Sequence, residues 1–571
     1  MARGADARAA LALAQRLEVP EIVGRVLAAR GVALDDAPGF LNPTLREMLP
    51  DPSSFKDMDR AVERLVRAVT QGDSIAVFGD YDVDGASATA LLTRFFAALG
   101  RETLVYIPDR RTEGYGPNAA AMQKLKTAGA SVVITVDCGT TAYEALEAAA
   151  NCGLDVIVVD HHMAEARMPP AYAIVNPNRL DESGVHGTLC AVGVAFLLAV
   201  GLNRALRNAY WYGEGHAAPD LMGLLDLVAL GTVCDVVPLT GANRALVAQG
   251  LKVMARRANK GLAALADVAK LTERPDCYHA GFVLGPRVNA SGRLGDCGLG
   301  ARLLATEDPA EARALAIRLD KYNDERRGIE AVVLEAALAD AEAQVAAGVT
   351  VIVCAGRGWH QGVVGIVAGR LRERFDRPAL VIGLEGGIGR GSGRSVPGVA
   401  LGAAVIAAHQ AGILINGGGH AVAAGFTLAE DRIDDFRIFL AERIGRELGG
   451  ALPVPVLTLD GALAPEGATR ALTDDLDRLA PFGPGNPRPR FGFASVRIAY
   501  AEPVGADHVR CRLVSAAGCT PLTAIAFRVV GAPLGRALLE AKGGTLHVAG
   551  YLRADDFQGR SAAQLVIEDA A

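Results

Sequence analysis

Three short apolar runs in this chain each end in a carboxylate, and that repetition restricts the possible folds more than any other feature. Ser74-Ile-Ala-Val-Phe78 leads into Gly79-Asp80-Tyr81-Asp82-Val83-Asp84-Gly85, Val132-Val-Ile-Thr-Val136 into Asp137-Cys138-Gly139, and Val156-Ile-Val-Val159 into Asp160-His161-His162. β-Branched runs of this length between turn residues predict buried parallel strands, and open α/β sheets bind ligands beyond the carboxyl ends of such strands. Asp and His side chains gathered at one sheet edge repel one another unless a cation sits among them. A divalent metal is the expected counter-charge.

Asp80-Tyr-Asp82-Val-Asp84-Gly85 also matches the opening of a calcium-binding EF-hand loop. The twelfth position is Leu91 instead of Glu, and an apolar strand precedes the motif where an EF-hand has a helix, so that reading is rejected. A solvated acidic turn is the competing reading of the motif taken alone. His161 and His162 offer imidazoles beside a carboxylate, a ligand type suited to Mn²⁺, Zn²⁺ or Fe²⁺. A histidine pair is as readily structural, but its place at a strand end favours metal. Asp235, after the apolar stretch 224–234, reads as a cap or turn residue that chemistry alone does not select.

A second group of motifs suits phosphate. Gly387-Ile-Gly-Arg-Gly-Ser-Gly-Arg-Ser395 is expected to form a backbone nest with guanidinium forks, with a flexible surface loop as the alternative. It is neither a P-loop nor GxGxxG. Gly285-Pro-Arg287-Val-Asn289-Ala-Ser-Gly-Arg293 and Pro108-Asp-Arg110-Arg111 carry weaker signals, and Gly417-Gly-Gly-His420 reads as a helix-entry turn with a structural histidine.

Along the chain, residues 1–55 read as a helical lead-in, and from 56 to 205 strand-like runs alternate with helix-like ones, including a helix over 85–100. Residues 220–345 read mostly helical, and the amphipathic stretch 308–347 is long enough to connect two lobes. A second α/β block comes next, with strands at 349–354 and 379–382 and helices at 362–375 and 431–448. Beyond 454, short alternating runs predict about five strands in a small barrel of the OB type. With 571 residues, 51% of them hydrophobic and 21% charged, the chain has globular composition and room for several cores. Nine cysteines without a CxxC pair indicate neither a zinc ribbon nor a disulfide framework, and they fit a reducing cytoplasm. The first eight residues carry charge where a signal peptide needs an apolar core. The longest apolar stretch, 191–202, is too short for a membrane span. A net charge of −6 shows no basic footprint, although 313–327 and 370–377 are locally basic.

Taken together, the motifs resemble the DHH phosphoesterase superfamily, named for the triplet standing here as Asp160-His161-His162, and within it the bacterial single-strand-specific 5′→3′ exonucleases. Asp80–Gly85, Val136-Asp137-Cys-Gly139 and Gly231-Thr-Val-Cys-Asp235-Val-Val-Pro-Leu239 look like its first, second and fourth motifs. Ile107-Pro-Asp-Arg110 and the run to Gly116, with 285–293, extend the likeness beyond the core. Gly358-Trp-His360-Gln-Gly, Gly391-Ser392-Gly-Arg394-Ser395 and Gly418-Gly-His420 suggest a DHH-associated domain, and Pro481-Phe-Gly-Pro-Gly-Asn-Pro487 the approach to an OB-fold. The resemblance implies two α/β lobes, a DHH domain and a DHH-associated domain, joined by a long helix and followed by a C-terminal β-barrel. The expected divisions are a lead-in at 1–55, the DHH domain at 56–220, and a helical region with the fourth motif and connector at 221–347. The DHH-associated domain at 348–452 and the OB-fold at 453–571 complete them.

The same resemblance implies two Mn²⁺ or Mg²⁺ ions held by Asp82, Asp84, Asp137, His161 and Asp235, with Asp137 bridging and with Asp80 and Asp160 orienting the ligands. His162 would contact the scissile phosphate. Arg287, Ser392 and Arg394 with Arg110 would hold a 5′-phosphate, and Asn289, His360 and His420 would line the nucleic-acid path. The barrel would bind the trailing strand, with Phe491, Phe493, Tyr500, Phe527 and Tyr551 as its aromatics. The implied function is digestion of single-stranded DNA to mononucleotides in recombination and repair, by a cytoplasmic monomer without membrane contact. Single-strand-binding protein and a RecQ-type helicase are the implied associates. A related phosphodiesterase of short oligonucleotides or small nucleotides is the alternative, and a catalytically dead scaffold is disfavoured because no ligand position is missing.

Overall fold

The structure is a computed structural model that describes residues 3–110, 112–213, 215–449, 456–516, 518, 520–555 and 561–571. Arg111 and the expected boundary at 452/453 lie outside the described residues. The first lobe is built on five parallel strands, β1 (Ile75–Gly79), β2 (Thr103–Tyr106), β3 (Val132–Val136), β4 (Asp155–Val159) and β5 (Ala173–Val175), in the order β2-β1-β3-β4-β5. Every residue of β1 and β3 is buried, which is why these runs are continuously apolar instead of alternating. Helices cover both sheet faces and form two separate apolar clusters. The strand order reverses between β1 and β3, so a crevice opens at their carboxyl ends.

The helix after the first acidic loop spans Val83–Ala98, two residues earlier than expected. Asp82 is its N-cap, accepting from the amides of Asp84 and Gly85, so Asp84 falls inside the first turn. Gly85 is required there, because a Cβ would lie 2.6 Å from the Asp80 carbonyl oxygen.

The connector is a single helix of 38 residues, Pro309–Ala346, about 57 Å long at 1.5 Å per residue. Its first half packs Ala312, Leu315, Ala316 and Leu319 into the core of the first lobe. Its second half packs Val333, Ala337 and Ala341 into the second lobe. That lobe has a mixed sheet of β6 (Ile352–Arg357), β7 (Ala379–Glu385), β8 (Ile388–Arg394), β9 (Asn416–Gly419) and β10 (Ala423–Ala429), ordered β6-β7-β8-β10-β9. β6 starts three residues later than the expected strand.

Two readings are corrected here. The glycine-rich run 387–395 is neither a nest nor a loop but the central strand β8, paired on both sides. Its amides are committed to the sheet ladder. Its glycines make room for packing: a Cβ on Gly391 would lie 2.2 Å from the Phe426 ring. Gly417-Gly-Gly-His420 is likewise not a helix entry but an edge strand and the hairpin tip beyond it.

The C-terminal domain has β11 (Gly461–Ala462), β12 (Phe491–Val504), β13 (His508–Val514), β14 (Leu522–Ala526), β15 (Thr545–Asp555) and β16 (Ala562–Ala570). Pairing of β12 with β15 closes the sheet into a barrel. The N-terminal helices belong to this domain: Leu13, Val23, Val26 and Leu27 share one core with Phe491, Leu513 and Leu565. No helix among the described residues is long and apolar enough to cross a membrane.

Candidate metal centre and inter-lobe arginines

β1, β3 and β4 are neighbours, so their three carboxylate motifs converge at one sheet edge. Asp235 joins them from elsewhere, as the C-cap of helix Leu225–Cys234. Nε2 of His161 lies 3.2 Å from Asp137, 3.7 Å from Asp235 and 3.9 Å from Asp84. Ligand-capable atoms fall into three overlapping groups: Asp84, His161 and Asp235; Asp80, Asp82 and Asp137; and Asp137, His161 and His162. The sequence resemblance puts Asp80 behind the ligands, whereas the geometry sets it beside Asp82 and Asp137. Its Oδ1 is buried without a hydrogen-bond partner, a costly state for a carboxylate unless a cation meets it.

The electrostatics have one cause. Burial, followed by the charge of Asp82, pushes Asp80 and Asp84 up to about 7. Burial, then Asp84 and Asp82, raises Asp235 to about 8, and the same crowding drives Asp137 well above the carboxylate range. Burial and the charge of His162 lower His161 to about 4, so it is a neutral imidazole at neutral pH. Two of these carboxylates are held firmly. Asp84 accepts from the amides of Ala191 (2.6 Å) and Val192 (2.9 Å), at the start of helix Ala191–Asn208, where the helix dipole favours negative charge. Asp137 has a left-handed backbone, φ 61°, unusual for a non-glycine residue, and the Tyr115 hydroxyl donates to its carbonyl at 3.1 Å.

Asp160 faces the other way. Its carboxylate accepts from the amides of His161 (2.8 Å), His162 (3.2 Å) and Thr140 (3.0 Å) and lies 2.7 Å from Nδ1 of His162. Burial alone would raise its pKa, but these donors hold it below the usual range. The reciprocal effect brings His162, against the cost of burial, up to about 9. Asp160 and His162 thus form an ion pair beside the carboxylate cluster. A neutral imidazole, buried carboxylates above their normal pKa and an orphaned oxygen make a donor set that fits divalent cations of the Mn²⁺ and Mg²⁺ type.

Arginines meet this edge from both lobes. Tyr81 packs on helix Gly285–Leu294 at Gly292, and exposed Arg110 lies 5.0 Å over the Tyr81 ring. Arg293 donates to the Gly362 carbonyl in the second lobe at 2.8 Å. Burial, then the charges of Arg110 and Arg326, lower it to about 10. Arg394 donates to Ser392 and to its neighbour's carbonyl, and its pKa falls through burial alone. No carboxylate among the described residues pairs with Arg110, Arg293 or Arg394. Guanidinium charge gathered without a carboxylate partner, partly buried at Arg293 and Arg394, suits an anion.

Arg287 is not part of this cluster. It is tied to Asp320 at 2.8 Å and to the Val283 carbonyl. Arg293, at the end of the same motif and not singled out by its sequence, is the one whose charge is met by Arg110 and Arg394, with Asn289 one helical turn away on the same face. His360 is the N-cap of helix Gln361–Phe375, its Nδ1 accepting from the Gly362 amide. His420 is exposed at the β9–β10 tip, near the register pair Ala423 and Arg394. In the barrel, Phe491 and Phe493 are buried in the core and cannot stack on a ligand.

The chain matches the DHH family N-terminal domain over residues 74–232, the DHHA1 domain over 348–446 and the RecJ OB domain over 459–569. Sheet, acidic edge and domain matches together define a DHH-domain protein with an OB barrel. The single-stranded-DNA-specific exonuclease RecJ of Dickeya dadantii (strain 3937) is 36% identical over 562 residues, 96% of both chains. That of Escherichia coli (strain K12) is 35% identical over 97% of this chain and 96% of its own. The crystal structure of RecJ from Thermus thermophilus in complex with Mn²⁺ superposes with a TM-score of 0.82 at 30% identity, covering 99% of this chain and 78% of that one. A second structure of that protein, in complex with Mg²⁺, gives 0.75 at 28% identity, covering 99% of this chain and 76% of that one. The chain belongs to the RecJ family.

Proposed function

We propose that this protein is a metal-dependent exonuclease that degrades single-stranded DNA from the 5′ end to 5′-mononucleotides. The observation that carries the reading is a metal-type carboxylate edge facing arginines that have no counter-ion. Asp84, His161 and Asp235 are assigned to one divalent ion and Asp80 and Asp82 to a second, with Asp137 between them. Bound there, such ions lower the pKa of a coordinated water and neutralise charge developing on the phosphate oxygens. The protein does the rest. Asp160 fixes the orientation of both histidines and keeps His162 protonated, and His162 offers its proton to the scissile phosphate. Ser392, Arg394, Arg293 and Arg110 hold the terminal 5′-phosphate, the planar guanidinium forks matching its oxygens. Clamping that end sets the direction of digestion, and the second lobe excludes a duplex.

We assign the division into lead-in, DHH domain, helical connector, DHH-associated domain and barrel as expected from the sequence, with the lead-in joined to the barrel core. Two lobes around one cleft require no second copy, which supports a monomer. A cytoplasmic setting, with single-strand-binding protein and a RecQ-type helicase as associates, follows from the family.

The decisive experiment is Mn²⁺-dependent digestion of a long single strand labelled at either end, beside its duplex and a dinucleotide. Mononucleotides released from the 5′ end of the single strand alone support the proposal. Rapid cleavage of the dinucleotide with the strand intact would replace it with small-nucleotide hydrolysis.

A further inference from the structure

A short π-helix, His279–Leu284, packs against the end of the helix that presents Asp235: the Cys234 thiol donates to the Ala280 carbonyl at 3.4 Å. Tyr278 and Phe282 project from this segment into solvent, 58% and 74% exposed, and their rings stack on each other at 5.5 Å with 26° between planes. Single apolar residues on a surface are ordinary, but a stacked, exposed aromatic pair on a π-helix at the rim of a charged cleft is not. The approach to the barrel begins close by: the Leu239 amide, four residues after Asp235, donates to the Pro484 carbonyl at 2.8 Å, and Arg488 lies 4.6 Å over the Phe482 ring. Tyr551 on β15 is half-buried. Arg488 sits 5.4 Å over the Tyr551 ring while also reaching Asp477 at 3.4 Å. Two residues along the same face of β15, Arg553 lies 5.1 Å over the exposed Phe527.

Rings and guanidinium groups therefore alternate from the Asp235 end of the catalytic lobe onto the barrel. We propose that Phe282 and Tyr278 form a stacking shelf for bases of the DNA strand downstream of the scissile phosphate, handing that strand to the Tyr551–Arg488 and Phe527–Arg553 pairs on the barrel. The inference rests on the proposed nuclease reading, which it deepens. Base-on-ring stacking tolerates any sequence, and guanidinium groups beside the rings supply phosphate contacts and cation–π attraction. An unidentified protein partner is the competing occupant, but alternating cations and aromatics favour a strand of stacked bases and phosphates over an apolar protein face.

The test is binding of a fluorescently labelled single strand by the full chain without divalent metal, alongside digestion with Mn²⁺. Phe282→Ala should weaken binding by about tenfold, from the loss of one base stack. Its kcat/KM for a long strand, relative to that for a dinucleotide, should fall by a similar factor. Phe282→Trp should restore both, and because the side chain is exposed the thermal midpoint should stay within a degree or two of wild type. Unchanged affinity and unchanged length preference in Phe282→Ala, with the wild type binding normally, would overturn the shelf and leave the nuclease reading standing. Absence of wild-type binding and digestion would instead overturn the nuclease reading itself.

Discussion

Lowering the pH should eject metal from this centre well above the range in which ordinary carboxylates titrate. Asp80 and Asp84 are raised to about 7 and Asp235 to about 8, first by burial and then by mutual repulsion among the aspartates. Below those values the metal-free centre binds protons that an incoming cation must displace. For the ion assigned to Asp84 and Asp235, moving from pH 8 to pH 6 leaves both carboxylates largely protonated, which weakens apparent affinity by roughly 100- to 1000-fold. The stability of the metal-free protein shifts in the opposite sense. Because the folded pKa values exceed the unfolded value of 3.8, the metal-free protein loses stability as pH rises from about 4 through about 8. Mn²⁺ removes that loss, so the rise in thermal midpoint on adding Mn²⁺ should be larger at pH 8 than at pH 6. Titration calorimetry in two buffers of different ionisation enthalpy would measure affinity and released protons together. A Mn²⁺ affinity constant between pH 6 and 8, with no proton release, would refute the reasoning.

Three further outcomes are expected. Arg394→Ala should lose most of the preference for 5′-phosphorylated over 5′-hydroxyl ends, by about 10- to 100-fold in relative kcat/KM, because a charge-assisted hydrogen bond contributes roughly 1.5–3 kcal/mol; its Mn²⁺ affinity should not change, and retained preference would remove Arg394 from the site. Arg244, 1% exposed, donates to the carbonyls of Phe40, Leu479 and Ala480 and lies 3.8 Å over the Phe40 ring; Arg244→Ala should cost on the order of 3 kcal/mol in denaturant unfolding, from several buried hydrogen bonds and lost packing. Gly391→Ala places a Cβ against the Phe426 ring and should cost roughly 1–3 kcal/mol of overpacking in the second lobe, read as a lower midpoint.

The catalytic lobe is legible in the sequence because parallel strands covered on both faces read as unbroken apolar runs, and the residues directly after each run must lie at the sheet edge. Asp80, Asp82, Asp84, Asp137, His161 and His162 are found that way. Asp235 is not, since it reaches the centre from a helix end, and a lone aspartate after an apolar helix looks like any cap. The second lobe is misleading where glycine suggests flexibility. In 387–395 the missing side chains leave room for Phe426, Leu380 and Leu401, a three-dimensional fact that no local pattern carries. Arg287 and Arg293 lie six positions apart on one helix, roughly 120° apart around its axis, so only the packing of that helix shows which one faces the cleft. Phe491 and Phe493 are the opposite case. Two positions apart in a strand, they share a face, and in a small closed barrel a pair of phenylalanines on one face belongs inside.

The chain segment that follows Asp235 meets the approach to the barrel directly. It is tied down at once: the Leu239 amide donates to the Pro484 carbonyl at 2.8 Å, and Arg244 bonds the carbonyls of Leu479 and Ala480. On the barrel side the same stretch is held by Arg30, which donates to Asn486 and to the Pro487 carbonyl. Val236, between the carboxylate and these ties, has a left-handed backbone at φ 62°, a strained conformation for a β-branched residue that persists only where surrounding contacts enforce it. The other carboxylates of the cluster are fixed by the first lobe alone, through strand ends or the helix that Asp84 caps.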